Sequence, residues 1–332
     1  MNQGTHPEEL PADILDDVAR VIGAEVTAVG RLPGGLSGGA TRVQLAGRAN
    51  AVLKAVPRAQ PDNLDEILRA QRIVEHMRGV GYPTPAWLGV GATATHVWHL
   101  MDFVDAAPAP DLTPSLVVQL MEIIELQAGQ ASEPHDHWSY ARALAKAALQ
   151  HGLGSQEAPR DVGGTLALDV RADQWASETW RVVTGQELAV AGLSGYSSVV
   201  SALVERLRLL YADAPTPGES PDMVHADLNP SNVLVRDGAV VAVVDIGNAG
   251  RGTRAEDLTS LVWYSFQDPL DGVRKRLWTT ILDLVGWEAA ALLAATHILH
   301  TLAFHISQGR HAVVPEVVER GHRDLDELNA LR

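Results

Sequence analysis

Residues 223–247 read MVHADLNPSNVLVRDGAVVAVVDIG, and no other stretch restricts the chain so tightly. His225, Asp227 and Asn232 form an H-x-D-x-x-x-x-N block, and Asp245 follows thirteen residues after Asn232 at the end of an apolar run. The β-branched runs on either side of Asp237-Gly238 predict a hairpin with a two-residue turn. Such a hairpin carries Asn232 and Asp245 to neighbouring strand ends, where both can face one cation. Asp227 sits a loop's length away, which suits a base that meets a hydroxyl and not the metal. Phosphoryl transfer needs this set: a carboxylate at the attacking oxygen and hard oxygen ligands that hold Mg²⁺ against phosphates.

Upstream, Ile14, Leu15, Val18 and Ile22 recur at helical spacing, and a β-type alternation begins at Glu25. The glycine-rich run over 33–39 precedes strand candidates RVQLAG and AVLKAV, the second carrying Lys54. A helix is expected over 64–77, then strands AWLGVG and THVWHLMDFV, then a proline- and alanine-rich connector. The division falls at 105, giving residues 1–105 and 106–332. Beyond it the period is near 3.6, predicting helices over 116–130, 138–150, 172–183 and 198–211 and a helical tail from Ala255. Segments 151–168 and 212–221 read as loops.

The string HADLNPSNVLV with VVDIGNAGRG and the later EDL resembles the aminoglycoside phosphotransferase family, a branch of the protein-kinase-like fold. The resemblance implies an α+β, two-lobed protein: an N-terminal lobe of antiparallel sheet with a helix, and a mainly helical C-terminal lobe. It implies Asp227 as catalytic base, Asn232 and Asp245 as Mg²⁺ ligands, and His225 and Asp257 as structural supports. The N-terminal half agrees. Ser37, Gly38 and Gly39 stand as the tip of a loop whose backbone N–H groups approach the phosphates of ATP or GTP, and Lys54 offsets their charge. HLMDFVDAA aligns with the hinge, setting Met101 against the adenine and the backbones of Asp102 and Val104 within its reach. Glu66 is the glutamate expected to pair with Lys54. The family usually has glycine where Ala226 stands and often histidine where Asn229 stands.

Only twelve positions separate Asp245 from Asp257, too few for the activation segment of a protein kinase. A nucleotide-binding module without turnover would not need Lys54, Asp227, Asn232 and Asp245 together. The expected activity is therefore transfer to a hydroxyl of a small molecule, an aminoglycoside-like or other antibiotic first. A metabolic acceptor of the choline, homoserine, sugar or methylthioribose type is the alternative.

Composition supports this. Twenty-six basic and 41 acidic residues give a formal charge of −15, which disfavours nucleic acid and anionic lipid and favours a cationic acceptor. There is no cysteine, and the acidic N-terminus lacks the pattern of a secretory signal, so a cytoplasmic location and no membrane association are expected. The apolar run 289–304 reads as a buried core helix, and His297, His300 and His305 within or beside it as core or cleft residues, not metal ligands. His135 and His137 are expected in a solvated loop. Asp268 and Asp271 suit helix starts better than a cation site. The tryptophans of the second half are expected mostly in the core. Oligomeric state is left open.

Overall fold

A computed structural model describes residues 10–32, 39–58, 63–131, 136–150, 192–211 and 220–332. The chain resolves into two compact units: residues 1–110 with 231–247, and residues 111–230 with 248–332. The hairpin that carries Asn232 and Asp245, placed by sequence in the region after 105, clusters with the first unit.

In that unit, helix α1 (Ala12–Ile22) buries Ile14 and Val18 and stops at Gly23, whose left-handed φ of 69° lets its N–H donate to the Ala19 carbonyl. Five antiparallel strands follow: β1 (Val26–Arg31), β2 (Ala40–Leu45), β3 (Asn50–Pro57), β4 (Trp87–Ala92) and β5 (His96–Asp102), ordered β1-β2-β3-β5-β4. Alternation divides the side chains of the central pair. Ala51, Leu53, Trp98 and Leu100 turn toward α1 and form its core, while Lys54 and Met101 belong to the opposite set. Trp98 is fully buried yet satisfied, its indole N–H donating to Asp17 Oδ2 at 2.9 Å. Gly91 makes room for it: a Cβ there would lie 2.5 Å from the indole.

Helix α2 (Leu64–Gly79) buries Ala70, Ile73, Val74 and Met77. A second small sheet joins β6 (Ala107–Pro108) to the hairpin β8 (Val233–Arg236) and β9 (Ala239–Val243). Asp237 and Gly238 both take positive φ, 53° and 77°, the conformation of the tight turn that their dipeptide predicts. Val243 N–H donates to the Pro83 carbonyl at 2.6 Å, tying the hairpin to the segment after α2.

The second unit is mainly helical. Helix α3 (Pro114–Glu125) starts with Thr113 as its cap, the hydroxyl accepting from Leu116 N–H at 3.2 Å. It ends earlier than the periodicity over 116–130 suggests. Helices α4 (His137–Gln150) and α5 (Ser198–Tyr211) follow. The helix expected over 172–183 lies outside the described residues. Strand β7 (Asp222–Val224), at the start of the β-branched run MVHADL, pairs antiparallel with β10 (Gly250–Gly252), which the sequence does not announce. Its second member, GRG, has no β-forming side chains. Gly252 is small because a Cβ there would meet Val224 at 3.0 Å and His137 at 3.2 Å.

The tail forms α6 (Ala255–Tyr264), α7 (Asp271–Ser307) and α8 (Val314–Asn329), with α7 breaking helical geometry at Gly286 (φ 75°, ψ 173°). By length and composition α7 is apolar enough to cross a bilayer, but 67% of its most apolar window is buried inside the protein, as a core helix requires. Arg274, 1% exposed, donates to Asp324 (2.6 Å), Glu327 (2.7 Å) and the Val262 carbonyl (2.6 Å), so that its buried charge is paired and its donors are used. Gly321 on α8 admits Leu203 and Ile298 at 3.1 and 3.2 Å from where a Cβ would stand.

Candidate active site

The second unit presents Asp227 on a loop clamped from beneath. Strand β7 ends at Val224, and the next two N–H groups, of His225 and Ala226, donate to the two carboxylate oxygens of Asp257 at 2.7 and 3.0 Å. A third donor, the Gln127 amide, reaches Asp257 Oδ2 at 2.8 Å. Asp257 is fully buried in the first turn of α6, where a negative charge suits the helix dipole. Burial pushes its carboxyl above the ordinary range, while the His225 imidazole, both N–H donors and the Gln127 amide pull it back. The adjoining Glu256 lacks such compensation and is pushed up to about 8 by burial and by the charges of Asp257 and Asp136. The base of the loop is held by Asp222, which accepts from Gly129 N–H (3.0 Å) and pairs with Arg254 (3.0 Å); Arg254 also pairs with Glu125.

Bringing two consecutive N–H groups onto one carboxylate forces a left-handed turn, and Ala226 adopts φ 63°. A side chain there costs roughly 1–2 kcal/mol, which a glycine would not. Ala226→Gly is therefore expected to stabilise the protein by about 1 kcal/mol, raising the apparent Tm by about 2 °C in a thermal melt, with turnover retained.

From this loop Asp227 is aimed by its neighbours. Its N–H donates to His225 Nδ1 (3.3 Å), and Asn229 Nδ2 donates to Asp227 Oδ1 at 2.8 Å. His225 is fully buried. In the sequence Asn229 stands out only as a departure from the family pattern; in the fold its amide reaches back to the Asp227 carboxylate.

The first unit gathers the remaining residues. Lys54 Nζ lies 2.9 Å from Asp245 Oδ2. Asn232 and Asp245 stand at the neighbouring ends of β8 and β9, where Val244 N–H donates to the Asn232 carbonyl at 2.9 Å. Asp245 itself takes φ 66°, a left-handed conformation uncommon outside glycine but one that aspartate adopts more readily than most side chains. A carboxylate that pairs with Lys54 is thus Asp245. Glu66 pairs with Arg69, one turn on in α2, at 3.0 Å. Arg69, 5% exposed, donates to the Gly247 carbonyl at 2.9 Å, so α2 reaches the segment after Asp245 through Arg69.

Ser37 and Gly38 lie outside the described residues. Gly39 (φ 64°) leads into β2, whose Ala40 is paired with Lys54, so the glycine run ends beside the lysine. Met101 is buried near the end of β5; the Asp102 N–H donates to the Ala86 carbonyl (2.9 Å), and the Val104 carbonyl accepts from Ala106 N–H (2.9 Å). Lys54 has a further neighbour that no sequence pattern marks. His99 is its register partner, stacked on Trp87 with centroids 4.1 Å apart, and burial with the Lys54 charge lowers its imidazole to about 3, keeping it neutral beside the lysine.

Among the described residues no group of three or more His, Asp or Glu side chains could hold a metal by itself. The adjoining Asn232 and Asp245 supply two hard oxygens, a donor set that fits Mg²⁺ sharing its coordination with phosphates and water.

A family model described as the phosphotransferase enzyme family, APH, matches residues 29–293. Among curated proteins none matches. The solved structure of aminoglycoside phosphotransferase APH(4)-Ia aligns with a TM-score of 0.62 at 15% identity over 95% of this chain and 98% of that one. A thermostable mutant of that enzyme, solved with ADP and hygromycin B, gives 0.63 at 14% identity over 95% and 98%. A protein assigned as a fructosamine-3-kinase from Thermobifida fusca YX-ER1 gives 0.52 at 18% over 95% and 100%. These structures bear on the fold, and the family match covers most of the chain. With its α+β, protein-kinase-like architecture, this chain belongs to the phosphotransferase enzyme family.

Proposed function

We propose that the chain transfers the γ-phosphoryl group of ATP or GTP, with Mg²⁺, to a hydroxyl of a small molecule. The observation that carries this reading is the 2.9 Å approach of Lys54 to Asp245 beside Asn232, which joins a phosphate-binding cation to a pair of metal-binding oxygens. Asn232 and Asp245 would hold Mg²⁺, which when bound supplies positive charge against the phosphate oxygens. Lys54 and the glycine run hold the donor. Met101 lies against the adenine; with its N–H committed to Ala86, Asp102 offers its carbonyl, and Val104 its N–H.

Asp227, aimed by Asn229 and His225, orients the acceptor hydroxyl and takes its proton. As the hydroxyl oxygen bonds to the γ-phosphorus, the bond from that phosphorus to the β–γ bridging oxygen breaks and the nucleoside diphosphate leaves. Kinship favours an antibiotic acceptor, since a relative of the same fold was solved with hygromycin B. The likeness to the fructosamine-3-kinase-type protein favours a metabolic sugar derivative as the second reading. The −15 charge weighs against nucleic-acid and anionic-membrane partners, and a cytoplasmic location is proposed with the kinase reading.

Incubation of the purified chain with Mg²⁺ and γ-labelled ATP or GTP, against a panel of hydroxyl-bearing antibiotics and sugar or amino-alcohol metabolites, tests the reading. Label is expected in at least one phosphoester product. A protein that binds neither nucleotide and labels nothing is not this kinase.

A further inference from the structure

Arginine is seldom buried unless its charge is paired, yet Arg69 is 5% exposed among the residues of α2 that enter the core, Ala70, Ile73, Val74 and Met77. Its guanidinium forms a short bridge. Nε–H donates to Glu66 Oε2 at 3.0 Å on its own helix, and an Nη2–H donates to the Gly247 carbonyl at 2.9 Å, 178 positions along the chain. Both bonds come from one planar, permanently charged group, which the single ammonium of a lysine does not reproduce. The proposed mechanism gives this side chain no task.

Gly247 stands two residues after Asp245, in the short 3₁₀ turn Ile246–Asn248. Before Asp245 the segment is fixed by Val244 N–H on the Asn232 carbonyl at 2.9 Å, and after it by Ile246, 1% exposed. At Gly247 a Cβ would meet nothing within 4 Å, so no close packing confines this glycine, whose backbone has the widest choice of conformations. The bond from Arg69 restrains its carbonyl directly. Between these restraints Asp245 takes φ 66° and sets Oδ2 at 2.9 Å from Lys54 Nζ. A side chain other than glycine keeps such a conformation only where its surroundings enforce it.

We infer that Arg69 is a positioning residue for the Mg²⁺ site: by holding the Gly247 carbonyl it keeps Asp245 in the left-handed conformation that presents its carboxylate. This rests on the kinase reading and adds to it a residue of α2 that acts through the backbone, touching neither nucleotide nor cation. Glu66 has a part in the same device, since it holds the guanidinium in place from one helical turn away.

The experiment uses the full chain with Mn²⁺ as the probe, a cation that takes the same oxygen ligands and is counted directly by electron paramagnetic resonance. With ADP saturating, Arg69→Met is expected to raise the Mn²⁺ Kd about tenfold or more, the usual effect of removing a group that orients a metal ligand. Arg69→Lys keeps the charge and can keep one of the two bonds, and is expected to raise the Kd less, by about threefold. Metal-free ADP binding, measured by calorimetry, is expected to stay within about twofold in both variants. An arginine with a merely structural role would lower the Tm and leave the Mn²⁺ Kd where it was. An unchanged Mn²⁺ Kd in Arg69→Met therefore overturns the inference; should that variant fail to fold, an unchanged Kd in Arg69→Lys does so. A loss of metal-free ADP affinity as large as the loss for Mn²⁺ overturns it too, because it marks general damage to the unit. A wild-type chain that binds neither ADP nor Mn²⁺ with ADP removes the kinase reading itself.

Discussion

Asp227→Asn is expected to lower phosphoryl transfer by roughly 10²- to 10⁴-fold, the range typical of a removed general base. The change preserves size and leaves the Asp227 N–H bond to His225 Nδ1 in place. Asn229 loses its carboxylate acceptor, but an amide oxygen can still receive that bond. The nucleotide and metal residues of the proposal, Lys54, Asn232 and Asp245, belong to the other compact unit. Affinity for Mg-ADP or Mg-AMP-PNP is therefore expected to stay within about twofold. Steady-state rates beside a nucleotide titration check both halves; a variant that still turns over rapidly would remove Asp227 from the role of base.

Asp257→Ala is expected to give the largest loss of stability. Three donors converge on that carboxylate: the N–H groups of His225 and Ala226, and the Gln127 amide. Each buried donor left without a partner costs about 1–3 kcal/mol, so the variant should lose about 3–5 kcal/mol after partial relaxation. Asp257→Asn should be milder, since one oxygen remains to accept while the new NH₂ group faces a donor. Denaturant unfolding with a probe in the second unit measures the loss. Equal stability of the Ala variant and the wild type would show that the left-handed turn at Ala226 is held by something else.

The block from His225 to Asp245 was legible because the chemistry proposed for it dictates residue types at short, local spacings, and because Asp237-Gly238 announces its turn. Long-range pairing was less so. The approach of Lys54 to Asp245, 191 positions away, has no local signature in the sequence. The strand GRG over 250–252 carries no β-forming side chains, because what it needs at Gly252 is the absence of a Cβ. Gln127 is a lone polar residue after an apolar helix, and nothing nearby in sequence marks its buried acceptor 130 positions away. His137 was expected in a solvated loop; it begins α4, half-buried, with Nε2 at 3.1 Å from the Asn248 carbonyl and Nδ1 at 3.6 Å from Glu256. Asp271 does open a helix, as expected, and there Arg323 pairs with it.

The first compact unit is completed by residues 231–247, which follow Pro110 only after 120 intervening residues. During synthesis from the N-terminus, β6 therefore has no β8 to pair with, and Pro83 no Val243, until that stretch has been made. At about 5–20 residues per second this wait lasts roughly 7–27 s. Through that interval the nascent five-stranded sheet lacks the hairpin that bears Asn232 and Asp245. A truncated chain ending after Pro110 would stay in that unfinished state permanently, so the polypeptide cannot be divided there into two self-sufficient halves.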